Sequence, residues 1–230
     1  MTLQEHLEEL RSRILYSAIS ILLGFVAGLA LAKPLLRQIA HRANVPNNQI
    51  QLISPTEGFV TYMKVALYIA IAFSMPVLIY QLFAFVAPGL TSKERRYVKL
   101  AVPFVVLMFA VGALFAFFML APRALDFLSH FGGDLFAWNP RAEEIVSFFL
   151  TLTLGIGLMF ELPVVMFVLA KIGIVKTRQL TRIRKFAFVG ILIAAAIITP
   201  TPDPFNMMLA AIPMYGLYEL GVLLSRFAKR

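Results

Sequence analysis

Six apolar runs, separated by short polar segments, constrain this sequence more than any other feature it has. An α-helix advances 1.5 Å per residue, so about 20 apolar residues cross the roughly 30 Å hydrocarbon layer of a membrane. Four runs are clear candidates for such spans, whereas the fifth has only 14 residues and the sixth carries Glu219 near its end. The six runs cover residues 14–32, 65–87, 100–120, 147–170, 186–199 and 205–224.

The composition agrees with a membrane protein and leaves little room for a soluble domain. Hydrophobic residues make up 60% of the chain, charged residues make up 14%, and the mean hydropathy is +0.83. We therefore predict an all-α integral membrane protein with six transmembrane helices, in which residues 1–230 form one polytopic domain. The fifth run reaches only about 21 Å, so we expect that span to lie in a thinned bilayer or to be shielded by its neighbours.

Lysine and arginine are unevenly distributed between the two sets of loops. The two termini and the second and fourth loops carry 15 of them, whereas the first, third and fifth loops carry 6. Because cytoplasmic loops are enriched in Lys and Arg, this asymmetry predicts that both termini are cytoplasmic. It also indicates that the net charge of +9 belongs to membrane topology and not to a nucleic-acid interface.

The outer loops carry signals of ordered structure. In Ser54-Pro55-Thr56-Glu57, a serine cap precedes a first-turn proline and a glutamate that can close a capping box. The last outer turn, Thr199-Pro200-Thr201-Pro202-Asp203-Pro204, is stiffened by its prolines. The outer loops are therefore predicted to form a structured cap.

The sequence contains none of the common catalytic or metal-binding motifs. There is no cysteine, no His-Glu-x-x-His motif, no Gly-x-Ser-x-Gly motif and no P-loop, and the three histidines all lie outside the apolar runs. We therefore expect no enzymatic activity, no metal site and no cofactor.

Glu8 and Glu9 lie in an amphipathic segment ahead of the first span. The helical period places Leu3, Leu7, Leu10 and Ile14 on one stripe, so this segment can lie on the membrane surface. Both glutamates fall off the stripe, and the period does not distinguish them. Local ion pairs, Glu9 with Arg13 and Glu8 with Arg11, are the simpler interpretation and would contribute only a few tenths of a kcal/mol.

Glu94 lies in the basic second loop, where local pairing is again the simpler interpretation. A second interpretation follows from the charge of this side of the protein. A surface with 15 basic residues attracts anionic lipid and repels a basic ligand. A basic ligand can therefore dock only where carboxylates stand together, and Glu9 with Glu94 would offer two bidentate acceptors for guanidinium groups.

Glu161 interrupts the fourth apolar run far from either end. A charge near mid-membrane costs about 2.5 to 3.5 kcal/mol, so such a residue is commonly functional and is protonated, paired or turned to a wet cavity. Pro163 adds a second polar point, because it cannot donate a hydrogen bond to the carbonyl of Met159. The alternative is a side chain satisfied by polar neighbours within the bundle.

Four segments together resemble the TatC family, the membrane receptors of twin-arginine protein transport, and the resemblance runs over essentially the whole chain. They are His6-Leu7-Glu8-Glu9-Leu10-Arg11-Ser12-Arg13; Phe85-Val86-Ala87-Pro88-Gly89-Leu90 with Glu94-Arg95-Arg96; Phe160-Glu161-Leu162-Pro163; and the proline-rich turn followed by Ile212-Pro213-Met214-Tyr215.

The resemblance implies a receptor in the prokaryotic cytoplasmic (inner) membrane. Such a protein binds the Arg-Arg motif of signal peptides on folded cargo, recruits the single-span proteins TatA and TatB, self-associates in a larger complex among membrane lipids, and supports export driven by the proton-motive force. It also implies a short fifth span, and a sixth that can be short, which thin the membrane locally.

The resemblance also assigns roles to residues. It selects Glu9 over Glu8 and pairs it with Glu94 as the signal-peptide clamp, with Arg11 and Arg95 as secondary positions. It places Glu161 in contact with a partner helix or the translocating peptide. Structural roles fall to Pro55, Phe59, Pro88, Pro163 and Asp203.

Two other functions remain to be separated from this one. A proton-coupled small-molecule transporter would use Glu161 as its relay, although no second strongly buried ionisable residue and no evident inverted repeat accompany it. A scaffold that only assembles partner helices would need none of the three glutamates.

Overall fold

Nine α-helices and one π-helical segment make up most of the chain that the structure describes, which is residues 3–43, 51–86, 91–131, 138, 140–199 and 203–228 of a computed structural model. The helices are α1 Leu3–Arg42, α2 Glu57–Val86, α3 Ser92–Phe115, α4 Ala121–His130, α5 Ala142–Met159, α6 Leu162–Lys171, α7 Thr177–Arg182, α8 Arg184–Ile198 and α9 Pro204–Phe227, with the π segment at Ala116–Leu120 between α3 and α4.

Five helical stretches of the described chain are long and apolar enough to cross a membrane. They are Leu7–Arg42, Glu57–Phe85, Lys99–His130, Ala142–Lys171 and Pro204–Phe227. The prediction of an all-α membrane protein is confirmed by these helices. The fifth predicted span corresponds to α8, whose 15 residues reach only about 22 Å.

The first helix differs from the sequence expectation. The amphipathic segment and the first span are one continuous helix, α1, of 40 residues and about 60 Å. No break separates the amphipathic segment from the first span. Pro34, the only proline inside the helix, does not end it. The polar residues at both ends still favour helix, so the helix extends beyond the apolar run.

The third and fourth spans are also built differently from single straight helices. α3, the π segment and α4 follow one another without a break from Ser92 to His130. The fourth span is divided, since α5 ends at Met159 and α6 begins at Leu162. Pro163 contributes to this break, because it lacks the N–H that would continue the hydrogen-bond ladder.

The last two helices have different lengths. α9 has 24 residues and reaches about 36 Å, so it exceeds the roughly 30 Å hydrocarbon layer. Only α8 is short, and the expectation of a short sixth span does not hold for this helix. Arg184 at the start of α8 donates to the Glu219 carboxylate of α9, with 2.7 Å between Nη2 and Oε2.

The core lies around α5, whose side chains pack against helices on all sides. α5 contacts α2, α3, α4, α8 and α9 as well as the π segment. Phe149 is fully buried and makes an edge-to-face contact with Phe117 of the π segment, at 5.5 Å between ring centroids. This central helix therefore positions its own C-terminal end, where Glu161 follows.

The loops predicted to lie on the outer side are held together by Glu57, at the start of α2. Its Oε2 accepts hydrogen bonds from the backbone N–H groups of Ile53 and Ser54, at 2.9 and 3.1 Å. Its Oε1 accepts from the N–H of Glu143, in the first turn of α5 just after the next outer loop, at 3.2 Å. An isolated β-bridge between Gln51 and Arg141 joins the same two loops. These contacts connect the first and second outer loops, in agreement with the predicted cap.

Candidate functional site

Glu9 lies near the start of α1 and is largely enclosed, with 16% of its side chain exposed. Its Oε1 accepts a hydrogen bond from Arg13 Nη2 at 2.9 Å. The same guanidinium donates through Nη1 to Gln81 Oε1 of α2, at 3.1 Å. Arg13 therefore joins the two helices and fixes the orientation of the Glu9 carboxylate.

The second oxygen of Glu9 is the notable atom of this group. Glu9 Oε2 is buried and has no hydrogen-bond partner among the residues that the structure describes. A buried carboxylate oxygen without a donor is costly, by about 1 to 3 kcal/mol or more for a charged group. Because Oε2 is buried, a guanidinium or amide donor would pair with it only after the Glu9 side chain turned outward.

The structure separates the two glutamates that the helical period left equivalent. Glu8 is exposed, whereas Glu9 is half-buried against α2. Arg11, a secondary position of the predicted clamp, is exposed as well. The predicted local pair of Glu9 with Arg13 is present and occupies one oxygen of the carboxylate, while the other oxygen has no partner among the described residues.

Glu94 lies in the first turn of α3, and its side chain is outside the part that the structure describes, as is that of Arg95. Pro88 lies outside the described residues altogether. The backbone still limits where Glu94 can be. Val86 ends α2 and Ser92 begins α3, so at most about 22 Å of extended chain separates them. The start of α3 is therefore at the same end of the bundle as Gln81 and Glu9.

Glu161 lies in the two-residue turn between α5 and α6. Its backbone N–H bonds to the carbonyl of Leu158 at 3.1 Å, and its carbonyl accepts from the N–H of Val165 at 3.0 Å. The side chain is half-buried, and Oε1 is enclosed with no hydrogen-bond partner in the described part of the chain. The polar neighbours required by the simpler interpretation therefore do not satisfy this oxygen.

Close packing around the break explains its position. Phe160 fits against Gly112 of α3, where an added Cβ would lie 2.6 Å from the ring. On the other side, Pro163 and Met166 of α6 pack against Gly221 of α9, where an added Cβ would lie 2.6 Å from the Met166 sulfur. Glycines on both neighbouring helices admit the bulky residues that flank Glu161 and so hold it between α3 and α9.

The residues of the outer loops serve structure in the described chain. Asp203 caps α9, since its Oδ1 accepts from the N–H of Asn206 at 2.7 Å and its Oδ2 from the Asn206 side chain at 3.0 Å. Pro55 lies in the turn before α2, and Phe59 on the first turn of that helix is 69% exposed.

Sequence reasoning missed several polar contacts between helices. Arg13 to Gln81 is one; another is the Glu219 carboxylate, which accepts from Arg184 and from the Tyr215 hydroxyl, the latter at 3.1 Å. No short motif marks the two contacts between helices, because their members are 68 and 35 positions apart, whereas Tyr215 and Glu219 lie four positions apart in α9. Within the described residues, no three His, Cys, Asp or Glu side chains converge as they would at a metal site.

A sequence model of the family described as Sec-independent protein translocase protein (TatC) matches residues 5–213. The chain belongs to the TatC family. The resemblance noted in the sequence is thereby confirmed. TatC proteins are subunits of a translocase and not catalysts of a chemical reaction, so the expectation of no enzymatic activity agrees with the family.

Curated TatC proteins from several bacteria are similar over nearly their full length. The TatC of Carboxydothermus hydrogenoformans is 35% identical, with 100% of this chain and 94% of the relative covered. TatCy of Bacillus subtilis is 36% identical, with 100% and 91% covered. The Helicobacter pylori (strain 26695) protein is 39% identical, with 97% and 87% covered.

A solved structure shows the same fold. The crystal structure described as the twin arginine translocase receptor TatC superposes with a TM-score of 0.86 at 34% identity, covering 98% of this chain and 100% of the solved chain. This chain therefore has the fold of that receptor structure.

Proposed function

We propose that this TatC protein is the core receptor of a twin-arginine export system, which binds the Arg-Arg motif of signal peptides on folded cargo. The observation that carries the proposal is the Glu9 carboxylate, with one oxygen held by Arg13 and the other buried without a donor in the described chain. A planar guanidinium can complete such a carboxylate with directed hydrogen bonds.

Glu94 is proposed as the second acidic group of this clamp, with Arg11 and Arg95 as secondary positions. The short connection from α2 to α3 supports a location near Glu9 at one end of the bundle. Two carboxylates would match two consecutive arginines. Because an ammonium group cannot form the same bidentate contact, Arg-Arg should bind better than Lys-Lys.

The clamp is proposed to face the cytoplasm of a prokaryotic cell, in the inner membrane. An excess of Lys and Arg at this end supports that orientation. If α8 crosses a thinned bilayer, six spans result and both termini lie on the cytoplasmic side. One polytopic domain over residues 1–230 follows from the same arrangement.

Further partners are proposed from the family. TatA and TatB, single-span proteins, would join this receptor in the membrane, several copies of the chain would assemble together, and the proton-motive force would drive transport. Glu161 is proposed as the intramembrane contact for a partner helix or the translocating peptide, because its enclosed Oε1 has no partner among the described residues. The TatC relatives give no support to the small-molecule transporter.

The receptor function is tested by photo-crosslinking a twin-arginine signal peptide and its twin-lysine variant to the full chain in membranes. Glu9→Gln and Glu94→Gln should each weaken binding of the twin-arginine peptide by roughly 30-fold, as expected from loss of about 2 kcal/mol of charge-assisted hydrogen bonding. Both variants should also reduce the preference for arginine over lysine.

Glu8→Gln is the matched control, because Glu8 is the exposed neighbour of Glu9 and carries the same charge. It should leave peptide binding within about twofold of the parent chain. Equal labelling of all variants by both peptides would sink the receptor assignment. Equal losses in Glu8→Gln and Glu9→Gln would show that only the overall charge of the segment matters.

A further inference from the structure

An apolar slot lies between α3 and α6 at the end of the bundle proposed to face the cytoplasm. Its volume is about 330 Å³. Its walls include Leu100, Ala101, Phe104, Val164, Phe167 and Val168. Leu100 and Phe104 are 57% and 61% exposed, so the slot opens on the side of the bundle that faces lipid. None of the functions proposed above uses it.

The mouth of the slot is basic and aromatic. Tyr97, near the start of α3, and Lys171, the last residue of α6, both line it at the same end. The Lys171 ammonium lies 5.3 Å from the centroid of the Tyr97 ring, in the range of a cation–π contact. Arg96 and Lys99 are exposed on the adjoining turns of α3. Positive charge is therefore concentrated where the apolar walls end.

The slot is short along the helix axes. Its walls extend from Tyr97 to Phe104 and from Val164 to Lys171, seven residue steps or about 10 Å on each helix. This length of about 10 Å is less than the hydrocarbon thickness of one leaflet, which is about 15 Å, so the slot fits the upper part of a single alkyl chain.

We propose that this slot binds one acyl chain of an anionic phospholipid of the inner leaflet, with the phosphate at Lys171. Basic pockets between helices on the cytoplasmic side are suited to acidic lipid headgroups. Apolar walls bury the upper part of the chain, while Tyr97 lies at the level of the headgroup, where aromatic residues concentrate. None of the lining residues that the structure describes belongs to the proposed clamp.

Fluorescence quenching by brominated lipids tests the site in the full chain. The only tryptophan, Trp138, is replaced in Trp138→Phe, and Phe104→Trp places a reporter in the slot. The protein is reconstituted into vesicles that contain dibromo-phosphatidylglycerol or dibromo-phosphatidylcholine. We expect about fivefold tighter apparent binding of the anionic lipid, the effect of one lysine near an acidic headgroup.

Variants separate the site from general surface charge. Lys171→Gln should abolish the preference for the anionic lipid, and Lys171→Arg should retain it. Lys185→Gln is the control, because Lys185 is an exposed lysine outside the slot lining, and the preference should survive in it. Ala101→Leu narrows the slot and should reduce quenching by both lipids, with the circular-dichroism spectrum confirming that the variant folds.

Three results would overturn the proposal. One is equal quenching by the two brominated lipids in the parent chain. Another is a preference that falls equally in Lys171→Gln and Lys185→Gln. The third is a reporter protected from both lipids, which would mean that protein and not lipid covers the slot. None of these results depends on signal-peptide binding, so the receptor function would stand or fall separately.

Discussion

Glu57 joins the segment before α2 to the first turn of α5 through backbone donors from both. Three N–H groups, those of Ile53, Ser54 and Glu143, donate to its two oxygens, and Arg141 Nη2 lies 3.8 Å from Oε2. Only 2% of the side chain is exposed. A carboxylate can accept all of these contacts because both of its oxygens are acceptors, whereas an amide offers one acceptor and one donor.

Glu57→Gln should therefore destabilise the fold, although its shape is nearly unchanged. The amide NH₂ group would oppose at least one backbone N–H, so the free energy of unfolding should fall by about 1 to 3 kcal/mol. Titration with a denaturing detergent, followed by Trp138 fluorescence, measures the loss. Glu144→Gln is the control, because Glu144 is exposed one position after Glu143, and it should unfold at the parent midpoint. Identical midpoints for the two variants would refute the role of Glu57.

The contact between α1 and α2 is the most extensive contact between two helices in the described chain. Gly24 and Gly28 of α1 lie one turn apart and face Ala70 and Ala66 of α2. Small residues at this spacing allow two helix backbones to approach closely in a membrane. The phenol of Tyr62 on α2 also donates to the carbonyl of Leu29, at 2.6 Å. Close packing here holds the middle of α1 against α2.

Gly28→Ala should separate the two helices. An added Cβ would lie 2.3 Å from the Ala66 carbonyl oxygen, a backbone atom that cannot move aside alone. The gain in helix propensity is about 1 kcal/mol, and overpacking commonly costs about 1 to 3 kcal/mol, with the upper part expected at so short a distance. The net effect should be destabilising in the same detergent titration.

Gly190→Ala provides the comparison for Gly28→Ala. Gly190 lies in α8, and an added Cβ there meets nothing within 4 Å. The propensity gain then acts alone, so this variant should be as stable as the parent or more so. If Gly28→Ala were also stabilising, the close approach of α1 and α2 would not limit the packing.

At the scale of the whole molecule, apolar runs were sufficient to predict the helices but not their extents. Hydropathy locates the part of α1 within the bilayer, but it cannot show that the polar ends continue the same helix to Leu3 and Arg42. The break at Glu161 was foreseeable only in part. Pro163 predicts a lost hydrogen bond, yet Pro76 lies inside α2 without ending it, so the packing of Phe160 against Gly112 also contributes.

The candidate site depended on contacts between distant segments. Helical period could not choose between Glu8 and Glu9, because both lie off the apolar stripe. In the structure, Arg13 distinguishes the two glutamates. It contacts both Glu9 and Gln81 of α2, whereas Glu8 is exposed. Such a contact spans 68 positions and leaves no local pattern. Gly24 and Gly28, by contrast, are a readable signal, four residues apart in an apolar helix.

The proposed partner of Glu161 is another chain, so the role of Glu161 is tested in the assembled translocase. Glu161→Ala should weaken crosslinking of a TatA-type or TatB-type helix by roughly 5- to 30-fold, which corresponds to about 1 to 2 kcal/mol for an intramembrane polar contact. Glu161→Gln should lose less, since an amide still forms hydrogen bonds. Binding of the twin-arginine peptide should survive in both variants, because Glu9 is untouched.

Thr153→Val is the matched control for this experiment. Thr153 lies in α5, and its hydroxyl is likewise buried with no hydrogen-bond partner among the described residues. If any orphaned polar atom in the divided fourth span recruits partners, Thr153→Val should weaken crosslinking as much as Glu161→Ala. If Glu161 is the specific contact, only its variants should do so. Unchanged crosslinking in Glu161→Ala would instead assign this carboxylate to the internal packing of the bundle.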